Sequence, residues 1–114
     1  MRRIGKYHIV EYVRENGDIP FSDWKGDLDV TVRARIQARL LRVSQGNLGD
    51  YEPIRNGVYE FRFHFGAGPR VYFGFDNNEI ILLLCGGIKR GQSKDINLAE
   101  ALWQEYLKRK EEDE

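Results

Sequence analysis

The sequence predicts an α+β fold of order β-α-α-β-β-β-α, and three observations carry that prediction. Residues 58–65 and 71–75 alternate apolar and polar side chains, the period of strands with one buried face. Within residues 29–45, Val32, Ile36, Leu40 and Val43 share one stripe, the period of an amphipathic helix. Ile80 to Cys85 is a short unbroken apolar run, suited to a central strand covered on both faces. The last three strands are expected to make an antiparallel sheet with the helices packed on its apolar face. A chain of 114 residues suits one domain, so 1–114 reads as a single unit with a short acidic tail at 111–114.

Taken in order, Tyr7 to Val13 reads as the first strand, ended by Asn16-Gly17-Asp18. Pro20 introduces a short helix over residues 21–28, with Ser22 as its candidate cap. The long helix follows over 29–45, with Asp29 as N-cap and Gly46 as its stop. Residues 47–57 are rich in Asn, Gly, Asp and Pro and read as loop. In the strand over 58–65, Tyr59, Phe61, Phe63 and Phe65 face the core, and Glu60, Arg62 and His64 face away. In the next strand Val71, Phe73 and Phe75 point inward, and Arg70 and Tyr72 outward. Gly86-Gly87 is expected to close the last strand. Asn97 with Glu100 suggests a capping box for the final helix, with Leu98, Leu102 and Tyr106 as its apolar line. Lys108, Arg109 and Lys110 in its last turn complement the helix dipole.

Composition narrows the function classes. The chain is 41% hydrophobic and 32% charged, unlike a disordered chain. No run approaches the roughly 18 apolar residues that span a bilayer, so no membrane partner is expected. The single Cys85 has no internal disulfide partner, which points to a reducing cytoplasm. His8, His64 and Cys85 lack metal-ligand spacing, and no cofactor fingerprint is present, so neither a metal nor a cofactor is expected. Net charge is zero, yet residues 30–49 hold Arg33, Arg35, Arg39 and Arg42 and no acid. A neutral total is compatible with a basic cleft.

The informative constellation is the polar face of the hairpin. Glu60, Arg62 and His64, two apart, share one side of a strand, Arg70 joins them from the next strand, and Lys89 and Arg90 follow the strand after that. Guanidinium groups match phosphate oxygens and stabilise charge that develops on a phosphodiester during cleavage. With RNA the 2′-hydroxyl is an internal nucleophile, and the protein supplies a base, an acid and charge stabilisation. Glu60 or Glu52 is the candidate base, and His64 is a second proton handler. The same pattern also suits an ordinary solvent face with cross-strand ion pairs. The stripe Arg35, Arg39 and Arg42 reads equally as a solvated helix face, a dock for an acidic protein partner or a nucleic-acid contact.

The segments Arg33-Ala34-Arg35-Ile36, Gly46-Asn47-Leu48-Gly49-Asp50 and Gly57-Val58-Tyr59-Glu60-Phe61-Arg62 resemble the addiction module killer proteins, also called phage-derived Gp49-like or HigB-like toxins. So do Gly68-Pro69-Arg70-Val71-Tyr72-Phe73, the run Leu82 to Lys89, Gln92 to Ile96, and Ala101 to Tyr106. These proteins sit in the RelE/ParE toxin superfamily. The resemblance implies the toxin of a type II toxin–antitoxin pair that inhibits translation by cleaving messenger RNA, generally on the ribosome. It also implies a helix-turn-helix antitoxin as partner, within a higher-order toxin–antitoxin complex, for which Arg35, Arg39 and Arg42 are the candidate surface. ParE-like members instead poison DNA gyrase, and a catalytically silent antitoxin-binding protein is a further alternative.

By the same resemblance, Arg70 falls on the arginine at the scissile phosphate. Arg62 falls on a basic strand position, and Arg90, accompanied by Lys89, on a second phosphate-binding arginine; Lys94 adds a further phosphate contact. Glu52 falls on the general base of the YoeB-like branch. Ile96 departs from the pattern, standing where RelE-like enzymes carry a tyrosine. Glu60 replaces a basic residue, and the C-terminal histidine of the YoeB-like branch has no counterpart, leaving His64 to substitute.

Overall fold

In a computed structural model, residues 6–113 are described. The elements are β1 (His8–Glu11), α1 (Pro20–Gly26), α2 (Val30–Ser44), β2 (Tyr51–Arg55), β3 (Val58–Arg62), β4 (Pro69–Asp76), β5 (Ile80–Ile88) and α3 (Gln92–Glu112). The five strands form one sheet in the order β1-β5-β4-β3-β2. The three strands β3, β4 and β5 pair antiparallel, and β1 joins β5 in parallel, so the sheet is mixed. This is the α+β, β-α-α-β-β-β-α arrangement, with one strand added.

The added strand is β2, where a loop over 47–57 was expected. It pairs antiparallel with β3, placing Tyr51 opposite Phe61 and Glu52 opposite Glu60. Pro53 is tolerated because β2 is an edge strand and needs no donor on its outer side. Most of its side chains are exposed, so it carries no apolar alternation to read.

Two cores flank the sheet. On one face Phe61, Val71, Phe73, Ile81 and Leu83 meet Phe21 of α1 and Ile36 and Val43 of α2. The Val32, Ile36, Leu40 and Val43 stripe is thus the buried side of α2. On the other face Val58, Tyr72, Leu82 and Leu84 meet Ala99, Leu102 and Trp103 of α3. Tyr72, expected to face away from the core, is therefore fully buried under α3. Gly86 and Gly87 do not end β5 at Cys85. They lie within it and seat one neighbour on each face: a Cβ at Gly86 would meet the Trp24 ring at 2.2 Å, and one at Gly87 would meet the Asp95 carboxylate at 2.0 Å.

Helix ends differ in informative ways. Asp29 caps α2, accepting from the Thr31 backbone N–H at 3.0 Å. Pro20 occupies the first position of α1, and Ser22 lies inside that helix rather than capping it. α3 begins at Gln92, so the expected capping box does not form. Asn97 instead accepts from Arg55 Nη2 at 2.7 Å, and Glu100 pairs with Arg55 Nε at 3.0 Å. Leu98 is 42% exposed, and Ala99 and Leu102 take the buried line. Glu111 and Glu112 of the acidic tail belong to α3, while Glu114 and residues 1–5 lie outside the described residues.

Candidate nucleic-acid site

Strand register assembles the site. Across β2, β3 and β4, Glu52, Glu60 and Tyr72 form one row, and Arg62 and Arg70 sit opposite each other in the next row. Period-two alternation places both rows on the face that α3 partly covers. Glu60 lies at the centre and is 2% exposed. Its Oε1 stands 3.8 Å from Arg70 Nε and its Oε2 4.0 Å from Arg62 Nε. Gln92, at the start of α3, donates from Nε2 to Oε1 at 2.9 Å. Burial pushes the Glu60 carboxyl above its ordinary range, opposed by Arg70, Gln92 and Arg62.

Arg62 is the hub. Its Nη2 reaches Glu52 Oε1 at 2.6 Å and Asp50 Oδ1 at 3.1 Å. Asp50 in turn pairs with Nε2 of the largely exposed His64. His64 and Arg62 hold the Asp50 carboxyl below its usual range. Arg70 is 7% exposed, and its Nη1 donates to the carbonyls of Gly68 and Pro69, each at 3.1 Å. Three buried donors on this face have no hydrogen-bond partner among the described residues: Nε of Arg62, Nε of Arg70 and the Tyr72 hydroxyl. Burial and the nearby Glu60 push the Tyr72 phenol up, so it stays protonated and keeps an O–H to donate. The face thus offers unspent N–H and O–H groups around a carboxylate with raised proton affinity.

Lys89, Arg90 and Lys94 are exposed and make no ion pair with described residues. The Lys89 backbone N–H donates to Gly68 O at 2.9 Å, which sets this cationic segment against the turn that holds Arg70. Gln92 ties the same segment to Glu60. The structure therefore brings Glu52, Glu60, Arg62, Arg70 and His64 together and places Lys89 at their rim.

The arginine stripe on α2 divides. Arg35 and Arg42 are exposed, whereas Arg39 is buried and turned inward. Its guanidinium donates to Leu48 O at 3.1 Å and to the carbonyls of Asp50 and Arg62. It also lies over the Phe63 ring, 4.6 Å from its centroid. Desolvation lowers its pKa, and Arg39 fixes the Asp50 loop against the end of β3.

Sequence reasoning missed Asp50, Gln92, Tyr72 and Asp95. Asp50 read only as loop, Tyr72 only as an outward position. Gln92 and Asp95 preceded the expected helix start. Ile96 packs against the α3-side core. Cys85 is buried, its thiol pushed up to about 12. Among the described residues, no three His, Cys, Asp or Glu side chains converge as metal ligands. No helix among them is long and apolar enough to cross a membrane.

The chain is 40% identical over 88 residues, covering 76% of its own length and 89% of the other, to a Haemophilus influenzae (strain ATCC 51907 / DSM 11121 / KW20 / Rd) protein described as "Uncharacterized protein". No family model matches the chain. The element order and sheet are those of the RelE/ParE-like fold.

Proposed function

The chain belongs to one family with that Haemophilus influenzae protein, and we propose that it is the toxin of a type II toxin–antitoxin pair, an endonuclease acting on messenger RNA. One observation carries the reading: a buried carboxylate, Glu60, of raised proton affinity stands between Arg62 and Arg70 on one sheet face. Lys89, which makes no ion pair among the described residues, lies at its edge. A base whose pKa lies nearer the working pH is the more effective one.

In this mechanism Lys89, Arg90 and Lys94 draw the RNA backbone onto the face. Glu60 takes the proton of the 2′-hydroxyl as that oxygen attacks the adjacent phosphorus. The phosphorus–5′-oxygen bond breaks, leaving a 2′,3′-cyclic phosphate and a 5′-hydroxyl. Arg70 and Arg62 stabilise the charge gathered on the phosphoryl oxygens. His64, held by Asp50, returns a proton to the leaving 5′-oxygen. Glu52 pairs with Arg62 at 2.6 Å and positions it. A helix-turn-helix antitoxin silences the toxin from the α2 side, through Arg35 and Arg42.

The test is to incubate purified protein with translating ribosomes and identify the RNA ends by mass spectrometry, comparing wild type with Glu60→Gln and Arg70→Lys. Cyclic phosphate ends that diminish in both folded variants support the mechanism; 3′-hydroxyl ends, or equal cleavage by E60Q, contradict it. A second reading draws on the inward-turned Arg70, whose Nη1 is committed to backbone carbonyls. On it the chain acts by binding a protein, gyrase or antitoxin alone, and supercoiling inhibition without RNA cleavage would favour it.

A further inference from the structure

On the α2 side of Arg62 lies a cavity of about 280 Å³, walled by Arg35, Arg42, Asp50, Arg62, His64 and Phe65 among others. Arg35 and Arg42 make no ion pair with described residues. The Arg35 guanidinium stacks on Phe65, 3.7 Å from the ring centroid. The carboxylate in the wall, Asp50, already pairs with Arg62 Nη2 at 3.1 Å and hydrogen-bonds to His64 Nε2. The cavity therefore presents spare positive charge beside a flat cationic surface backed by an aromatic ring.

A lone carboxylate or phosphate would engage the arginines and leave the flat surface unused, whereas a nucleotide uses both. Single-stranded nucleic acid is held by this combination, cations for the backbone and planar groups for the bases. We propose that the cavity is a subsite for single-stranded RNA, in which Arg42 takes a phosphate and the Phe65-backed guanidinium of Arg35 stacks under a base. Arg62 belongs to both this cavity and the Glu60 face, so the occupant is the nucleotide next to the cleaved bond. The proposal rests on the nuclease reading for that last assignment.

The test uses the full chain and a fluorescein-labelled 2′-O-methyl RNA hexamer, which has no free 2′-hydroxyl and resists cleavage, with binding read by anisotropy. Loss of one phosphate contact by Arg42→Gln should flatten the dependence of log affinity on log salt by about 0.7. Loss of stacking in Arg35→Gln and Phe65→Leu should weaken binding about tenfold. Lys108→Gln, on exposed α3, removes the same charge and should leave affinity unchanged. Circular dichroism verifies folding, and Arg42→Gln alone decides the matter if Phe65→Leu misfolds. Unchanged hexamer affinity in Arg42→Gln and Arg35→Gln overturns the subsite. So does loss confined to a hexaglutamate peptide, which would assign the cavity to an acidic protein segment. Arginine-dependent hexamer binding by a chain that cleaves no RNA would keep the subsite and sink the nuclease reading; cleavage with unchanged hexamer affinity would do the reverse.

Discussion

Replacing Arg39 by methionine removes the clamp on which the Asp50–Arg62 arrangement rests. The side chain donates to three carbonyls. Asp50 O also accepts from the Arg62 backbone N–H at 3.0 Å and keeps a partner without Arg39. The carbonyls of Leu48 and Arg62, both part-buried, lose theirs, at about 1–3 kcal/mol for each group left unsatisfied. Against this, the buried and unpartnered Nε of Arg39 is relieved, and methionine retains most of the packing on Phe61 and Phe63. The net cost is about 2–4 kcal/mol. With a urea slope of about 1–1.5 kcal/mol/M, the midpoint of unfolding should fall by about 2 M. Urea titration by far-ultraviolet circular dichroism measures this, with Arg42→Gln as the exposed comparison whose midpoint should stay with wild type. An Arg39→Met midpoint within about 0.3 M of wild type would refute the clamp, since no buried-carbonyl penalty would then exist.

Other consequences follow from the same contacts. Gly87→Ala places a Cβ 2.0 Å from Asp95 Oδ2 and 2.6 Å from its Cγ, so the Asp95 carboxylate must rotate away or the first turn of α3 must shift. Overpacking of this kind costs about 1–3 kcal/mol, and a lowered Tm with reduced RNA cleavage is expected, because Gln92 sits in the same turn. Glu60 has a folded pKa above its unfolded value of 4.5, so the folded state favours the protonated form. Its contribution is full below the unfolded pKa and declines as pH rises through the folded pKa. Glu60→Gln should remove that decline from urea titrations run upward from pH 4.5. Asp76 has the opposite sign: Lys110 and Tyr106 hold its pKa below 3.8, so its stabilisation is present above that value and is lost as pH falls through the folded pKa. Asp76→Asn should therefore weaken the fold at neutral pH and flatten its loss in acid.

Much of the architecture was legible because burial writes a period into sequence. The α2 stripe and the alternation of β3 and β4 follow directly from one apolar face each. β2 left no such trace, since an exposed edge strand interrupted by Pro53 needs no apolar side. α3 was read too short because Gly91 at φ +89° starts it without any capping side chain. The site was half legible: Glu60, Arg62 and Arg70 share a face by spacing alone, and register then sets Arg62 against Arg70. The burial of Glu60 and Arg70 was not, because which helix covers which face is decided by packing between distant segments. Arg39 shows the same limit. At its position in the helical repeat an arginine reads as exposed, and only the loop folding back at Leu48 and Asp50 turns it inward.

The measurement that bears most directly on the central claim is primer extension on cellular messenger RNA after brief induction of the protein, wild type beside Glu60→Gln. The account predicts discrete new 5′ ends with wild type and their loss with Glu60→Gln, while both proteins accumulate as folded species. New ends of equal intensity in both, or growth arrest with no new ends in either, would contradict it.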